Sequence, residues 1–190
     1  MEFALSEDQR LLQDSIRGVI ASASPLDEVR KVAAGEEGVA LTMTSALANM
    51  GTPQLLVPEA HGGLGLGALE AALVQEVLGG HVCPAQFIAS NVMATEAIKV
   101  AGSNAQQAEW LPRLADHLGG SSAQFGVALT EHINRREGAG LVFENSKLSG
   151  KALFALEAGR ASHILTCDQN GALYIAVSYT HLTLPTIYSV

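Results

Sequence analysis

The feature that most constrains this chain is a change of hydrophobic period near residue 122. Before it, apolar residues recur every three to four positions, as one face of a helix requires; after it come short runs rich in β-favouring residues. Ser6 with Gln9 three residues later forms a capping box, and Leu11, Leu12, Ile16, Val19 and Ile20 follow at helical spacing, predicting a helix over about residues 6–21. A softer stretch passes Gly35 and Gly38, and a second helical pattern covers residues 39–50, stopping at Gly51 with Pro53 beyond. Residues 68–78 form a small-residue helix with Leu69, Leu73, Val77 and Leu78 inward. Pro84 opens a longer helix carrying Phe87, Ile88, Val92, Ile98 and Val100 to a stop at Gly102. Asn104 caps a further helix through Trp110, Leu111 and Leu114 to Leu118, ended by Gly119 and Gly120.

Beyond Ser122 the runs QFGVALT, GLVFEN, KLSGKALFAL, SHILTC and ALYIAV are separated by turn residues. The last two flank DQNG, in which Asn170 and Gly171 both tolerate positive φ, making it the strongest hairpin signal in the chain. Helices followed by strands, without alternation, give an α+β class: an all-α N-terminal domain over residues 1–120 and a partial antiparallel β domain over residues 121–177. The segment SYTHLTLPTIYSV, residues 178–190, has no acid, Lys or Arg and departs from this pattern. It resembles translated adapter or vector sequence, so we expect it to be foreign and the natural protein to continue past Val177.

A chain of 190 residues that is 48% hydrophobic and 16% charged has enough apolar surface to bury a core. Its net charge of -8, with no basic cluster larger than a pair such as Arg135 and Arg136, argues against nucleic acid or an anionic membrane as partner. Cys83 and Cys167 lie far apart with no CxxC spacing, so neither a disulfide framework nor a zinc site is expected. With no basic-then-apolar leader and no long charge-free apolar run, the chain reads as soluble and cytoplasmic.

The stretch HGGLGLGALEAALVQEVLGG, residues 61–80, raises a phosphate-binding question, because Gly63, Gly65 and Ala68 match the spacing of a dinucleotide fingerprint. That fingerprint needs a buried strand running straight into the glycines. Here Leu55, Leu56 and Val57 are cut off by Pro58, Glu59, Ala60 and His61, which favours a tight irregular loop that uses glycine for positive φ.

The six histidines, His61, His81, His117, His132, His163 and His181, show no metal-ligand spacing, and no serine stands in GxSxG; each reads as a loop or surface histidine. Glu70, Glu76, Glu96 and Glu131 lie on or beside apolar elements. Any one of them could serve as a general base with a raised pKa, or be a solvated or hydrogen-bonded carboxylate with no catalytic role.

The order LSEDQRLL, VPEAHGGLGLG, QEVLGG, AGSNAQQAEWLPRLADHLGG, ALTE and KLSGKALFALEAGRASHILT resembles the N-terminal helical domain and the start of the middle β domain of an acyl-CoA dehydrogenase, over residues 1–177. The resemblance implies FAD as cofactor, an acyl-CoA thioester as substrate, and an electron-transfer flavoprotein or other acceptor as redox partner. It also implies a homo- or hetero-oligomer and a setting in fatty acid or steroid degradation. In the family a glutamate removes the α-proton and the β-hydrogen leaves as hydride to flavin N5, while hydrogen bonds to the thioester carbonyl acidify the α-carbon. That glutamate belongs to a C-terminal domain this sequence does not reach, so no catalytic residue is assigned here. The glycine loop is a structural connection in the family, and the flavin is held elsewhere.

Carried over residue by residue, Leu129 and Thr130 of ALTE fall where the family contacts the flavin ring through backbone and hydroxyl. The family continues with a proline and a Gly-Ser-Asp turn, whereas this chain has HINRREGAG. Phe154 stands where the family places an aromatic against the flavin, but Leu156 occupies the position of a hydroxyl residue, so one flavin hydrogen bond is expected to be lost. The helix expected at Pro84 resembles the one lining the acyl pocket, placing Ala85, Gln86 and Ala89 near the chain end. Two of the three are small, which implies a wide pocket for a bulky or branched acyl group and equally suits close helix packing. A second reading is a non-catalytic partner subunit of a heteromeric dehydrogenase.

Overall fold

Segregated periodicity produces segregated structure in the computed structural model, which describes residues 4–116, 123–129 and 140–177. Two compact units result, Met1–Ser122 and Ala123–Val190.

In the first unit the capping box forms as its spacing requires: the Gln9 amide donates to Ser6 Oγ at 3.1 Å and the Ser6 amide to Gln9 Oε1 at 3.0 Å, opening α1 (Glu7–Ala23). Ile16 and Ile20, one turn apart, are fully buried in a core with Leu47, Leu55, Leu56, Val74, Leu78 and Phe87. Burying each such side chain stabilises the unit by about 1.5–3 kcal/mol. The helix α4 (Ala68–Gly80) runs alongside α1 in the same direction. Gln9 Nε2 donates to Glu70 Oε1 at 2.9 Å, and one turn later Gln13 Nε2 donates to Glu76 Oε2 at 2.8 Å.

The stretch before Gly35 holds an unexpected helix, α2 (Leu26–Ala33). Leu26, Val29 and Val32 recur at helical spacing, but none of its residues is fully buried; it is laced by the i,i+3 pairs Asp27 with Arg30 and Glu28 with Lys31. The helix α3 (Glu37–Asn49) ends as expected, with Gly51 at φ 81° taking the left-handed position past its C-cap.

Three expectations need correction. Pro84 does not open a helix: winding begins at Ile88, as a π-helix over Ile88–Ala94 that passes into α5 (Thr95–Ala101). Nor is Asn104 the cap of α6 (Asn104–Ala115), because Ser103 takes that role in a second capping box with Gln106. The expected inward face is also incomplete, since Leu69 is half exposed and Val100 almost wholly so. Gly119 and Gly120 lie outside the described residues.

In the second unit, β1 (Phe125–Ala128), β4 (His163–Cys167) and β5 (Leu173–Val177) form one sheet in the order β1-β4-β5, while β2 (Gly140–Glu144) and β3 (Lys147–Lys151) form a separate hairpin. The α+β class holds, and the β2–β3 and β4–β5 pairs are antiparallel as expected. The pair β1–β4 is parallel instead: the long connection between them brings the chain back to the end where β1 began. Both of these strands are buried along their whole length, the polar His163 and Thr166 of β4 included.

Each hairpin turn has its own chemistry. Asn145 and Ser146 both take positive φ, 50° and 60°, the pattern of a two-residue type I′ turn. In DQNG only Gly171 does, at φ 86°, because Asp168 organises the turn instead. Its Oδ1 accepts from the amides of Asn170 at 2.9 Å and Ala172 at 3.0 Å, and its Oδ2 from the Tyr174 hydroxyl at 3.1 Å. Residues 178–190 lie outside the described residues.

Candidate functional site

The glycine loop has no amides to offer a phosphate. The His61, Gly62 and Gly63 amides donate to Pro58 and Glu59 carbonyls, and those of Leu64, Gly65 and Leu66 to Gln54, Val57 and Leu55, all between 2.8 and 3.1 Å. The Gly67 amide donates to Glu70 Oε2 at 3.0 Å. A phosphate cradle needs such amides unspent, so the loop is structural. Gly63 shows why glycine is required: a Cβ there would lie 1.8 Å from the Val57 carbonyl oxygen.

The same accounting assigns the acids. Glu70 is the capping-box acid of α4, and the Gln9 side-chain amide, with backbone donors, holds its carboxyl below the usual range against the effect of burial. A general base needs the opposite shift. Glu76 accepts from Gln13 and Glu96 from Lys99 at 2.6 Å, while Glu131 is outside the described residues. His163 corrects the expectation of surface histidines. It is buried in β4, its ring 5.4 Å from that of Phe125 and its Nδ1 2.9 Å from Ser162 Oγ. That hydroxyl also donates to the Gln124 carbonyl and accepts from the Gln124 amide, so it is a strand clasp and not a nucleophile.

The two sequence-distant segments expected near a flavin do meet. The Val127 amide donates to the Leu156 carbonyl at 3.0 Å and the Leu156 amide to the Val127 carbonyl at 2.8 Å, an isolated bridge that sets residues 154–156 beside the end of β1. Gly126 permits the approach, since a Cβ there would meet Ala158 Cα at 2.8 Å and the Leu156 carbonyl oxygen at 3.0 Å. Leu129 follows β1 directly and is half-buried. Phe154 is 58% exposed with φ 53°, a left-handed backbone that costs an L-residue about 1–2 kcal/mol, and Leu156 is 41% exposed. Thr130 and residues 131–139 lie outside the described residues.

The three expected acyl-end residues are close together on the helical unit but not on one helix. Ala85 is partly buried and packed against the core, Gln86 is buried with its amide donating to Thr44 Oγ1 at 3.1 Å, and Ala89 is fully buried in the π-helix. The π-helix was not legible, because within its seven residues the apolar pair Ile88 and Val92 reads the same for α and π winding.

Residues 6–117 match the model of the acyl-CoA dehydrogenase N-terminal domain, and the chain belongs to the acyl-CoA dehydrogenase family. Over 81 residues it is 36% identical to (2S)-methylsuccinyl-CoA dehydrogenase of Cereibacter sphaeroides, a match covering 42% of this chain and 15% of that protein. The fold is shared with the FAD complex of PigA at a TM-score of 0.71 and 18% identity, covering 93% of this chain and 49% of that one. It is shared too with the ChsE4-ChsE5 complex from Mycobacterium tuberculosis at a TM-score of 0.65 and 17% identity, covering 94% and 49%. The chain thus spans about half the length of these structural relatives. Among the described residues no helix is long and apolar enough to cross a membrane.

Proposed function

We propose that this chain is the N-terminal portion of an FAD-dependent acyl-CoA dehydrogenase that oxidises the Cα–Cβ bond of an acyl-CoA thioester. The observation that carries the flavin part is the Val127–Leu156 bridge, which sets Phe154 and Leu156 beside the strand leading to Leu129 and Thr130. Phe154 and Leu156 leave apolar surface open there, a surface that suits the face of a flat heteroaromatic ring. Bound FAD supplies the hydride acceptor. The chain's own part is to bind and orient it: Leu129 through its backbone, Thr130 through its hydroxyl, Phe154 through its ring. Ala85, Gln86 and Ala89 bound the acyl end. The proton-abstracting carboxylate is supplied from outside this chain, and electrons pass on to an electron-transfer flavoprotein or similar acceptor. We place the protein in the cytoplasm, as a homo- or hetero-oligomer degrading fatty acids or steroids; Cys83, outside any disulfide, suits a reducing compartment.

Leu156 also favours a second reading, a partner subunit that keeps the fold and has lost flavin contacts. FAD titration of the protein at full length separates the two. A neutral hydrogen bond contributes about 0.5–1.5 kcal/mol, so Leu156→Thr should tighten FAD by up to about tenfold and Thr130→Val should loosen it. Identical dissociation constants for both variants and the parent would mean that neither position meets a flavin, and the partner-subunit reading would stand.

A further inference from the structure

The segment between Gln86 and Thr95 is held at both ends by threonine hydroxyls from neighbouring helices. At one end Thr44 Oγ1, on α3, accepts the Gln86 amide at 3.1 Å and itself donates to the Ala40 carbonyl at 2.9 Å. At the other, α5 begins with Thr95, which is fully buried. Its backbone amide donates three residues back, to the Val92 carbonyl, and its hydroxyl reaches five residues back to the Ser90 carbonyl at 3.3 Å. Five residues back is the π register. Where the winding changes from π to α, the ladder of amides loses step with the carbonyls, and a hydroxyl fills the gap in a region closed to water.

We propose that Thr95 and Thr44 are positioning residues for acyl selectivity: they lock residues 88–94 in π register and so fix which side chains of residues 85–89 face the acyl tail. This rests on the acyl-CoA reading above. The π-turn spends one extra residue, and relaxing it to α winding would rotate everything on its N-terminal side by about 100° relative to α5. Ile88 now stands 38% exposed and Ala89 fully buried, so such a rotation would replace one by the other on the open side. A wall that exchanges Ala for Ile changes the room for an acyl tail by several carbon atoms.

The test is kcat/KM and KM for a series of straight and branched acyl-CoA thioesters on the protein at full length, comparing the parent with Thr95→Val, Thr95→Ser and Thr44→Val. Thr44 is only half-buried, so its variant serves if Thr95→Val does not fold. We expect Thr95→Val and Thr44→Val to shift the ratio of kcat/KM between the smallest and bulkiest thioesters by at least about tenfold, since even a one-carbon change in a hydrophobic pocket has that effect. Thr95→Ser, which keeps the hydroxyl, should keep the parent ratio. A uniform loss across all thioesters, or a lower melting temperature with unchanged ratios, overturns the proposal and makes both threonines structural. A parent protein that binds and oxidises no acyl-CoA overturns the function reading and this proposal together, and the unsubstituted protein shows that outcome without any variant.

Discussion

Gly63 keeps its place through the backbone of Val57, whose carbonyl oxygen stands 1.8 Å from where a Cβ would be. Backbone cannot swing aside as a long side chain can. Gly63→Ala should therefore destabilise the helical unit by about 1–3 kcal/mol, the range for forced overpacking, or more if the Leu64–Gln54 hydrogen bond breaks as well. Urea denaturation measures it, and an unchanged midpoint would show that the loop relaxes freely. Leu156 makes a different point at the same scale. Its backbone is fixed by two hydrogen bonds to Val127, so a side chain placed there is presented at a defined spot whatever its chemistry. This is why the exchange of Leu for Thr is a clean probe of flavin contact.

At the level of elements, the end of α4 carries a strained residue. Past His81 the chain turns back through the bonds Val82 to Gly79 and Cys83 to Leu78, and this requires Val82 at φ 50°. A β-branched residue in left-handed backbone is unfavourable, and Val82 is 63% exposed, so little packing offsets the strain. Val82→Gly should raise stability by about 1 kcal/mol, read as an upward shift of the thermal midpoint. A fall would mean that Val82 makes a contact worth more than the strain.

The β4–β5 hairpin depends on Asp168. Burial raises its carboxyl pKa, but the amides of Ala172 and Asn170 and the Tyr174 hydroxyl outweigh burial and hold it below the ordinary value of 3.8. A depressed folded pKa contributes stability that is present above 3.8 and lost as pH falls through the lower folded value. Asp168→Asn should abolish this acid-side dependence and loosen the hairpin at neutral pH. Amide exchange of residues 172–177 against pH checks both, and identical profiles for parent and variant would remove Asp168 from the account.

For the whole molecule, the chain spans about half of its structural relatives, and Glu70, the capping-box acid of α4, is held below the usual carboxylate range by the Gln9 side chain. We expect the isolated chain to give no acyl-CoA-dependent reduction of a flavin-linked electron acceptor. Turnover by the purified chain would place the base within it. Deleting residues 178–190, just after β5, should leave the thermal midpoint unchanged, and a drop of several degrees would show that they pack on the fold.

What the sequence by itself determined is what local chemistry controls. The capping box at Ser6, the stop at Gly51, the shift from helical to strand period near Ser122 and the hairpin at DQNG all involve residues a few positions apart, whose hydrogen bonds and φ requirements are the same in any fold. The strand that precedes Leu129 was also legible, from the β-favouring run QFGVALT. Tertiary structure decided the rest. That β1 pairs parallel with β4, that residues 154–156 close onto Val127, and that residues 88–94 wind as π are settled by partners far away in sequence or by one unit of helical register, which short apolar spacing does not resolve. Ser103 displaced Asn104 as a cap for a similar reason: both residue types cap well and each has a Gln three positions on, but Gln107 donates to the Lys99 and Gly102 carbonyls while Gln106 closes the box with Ser103.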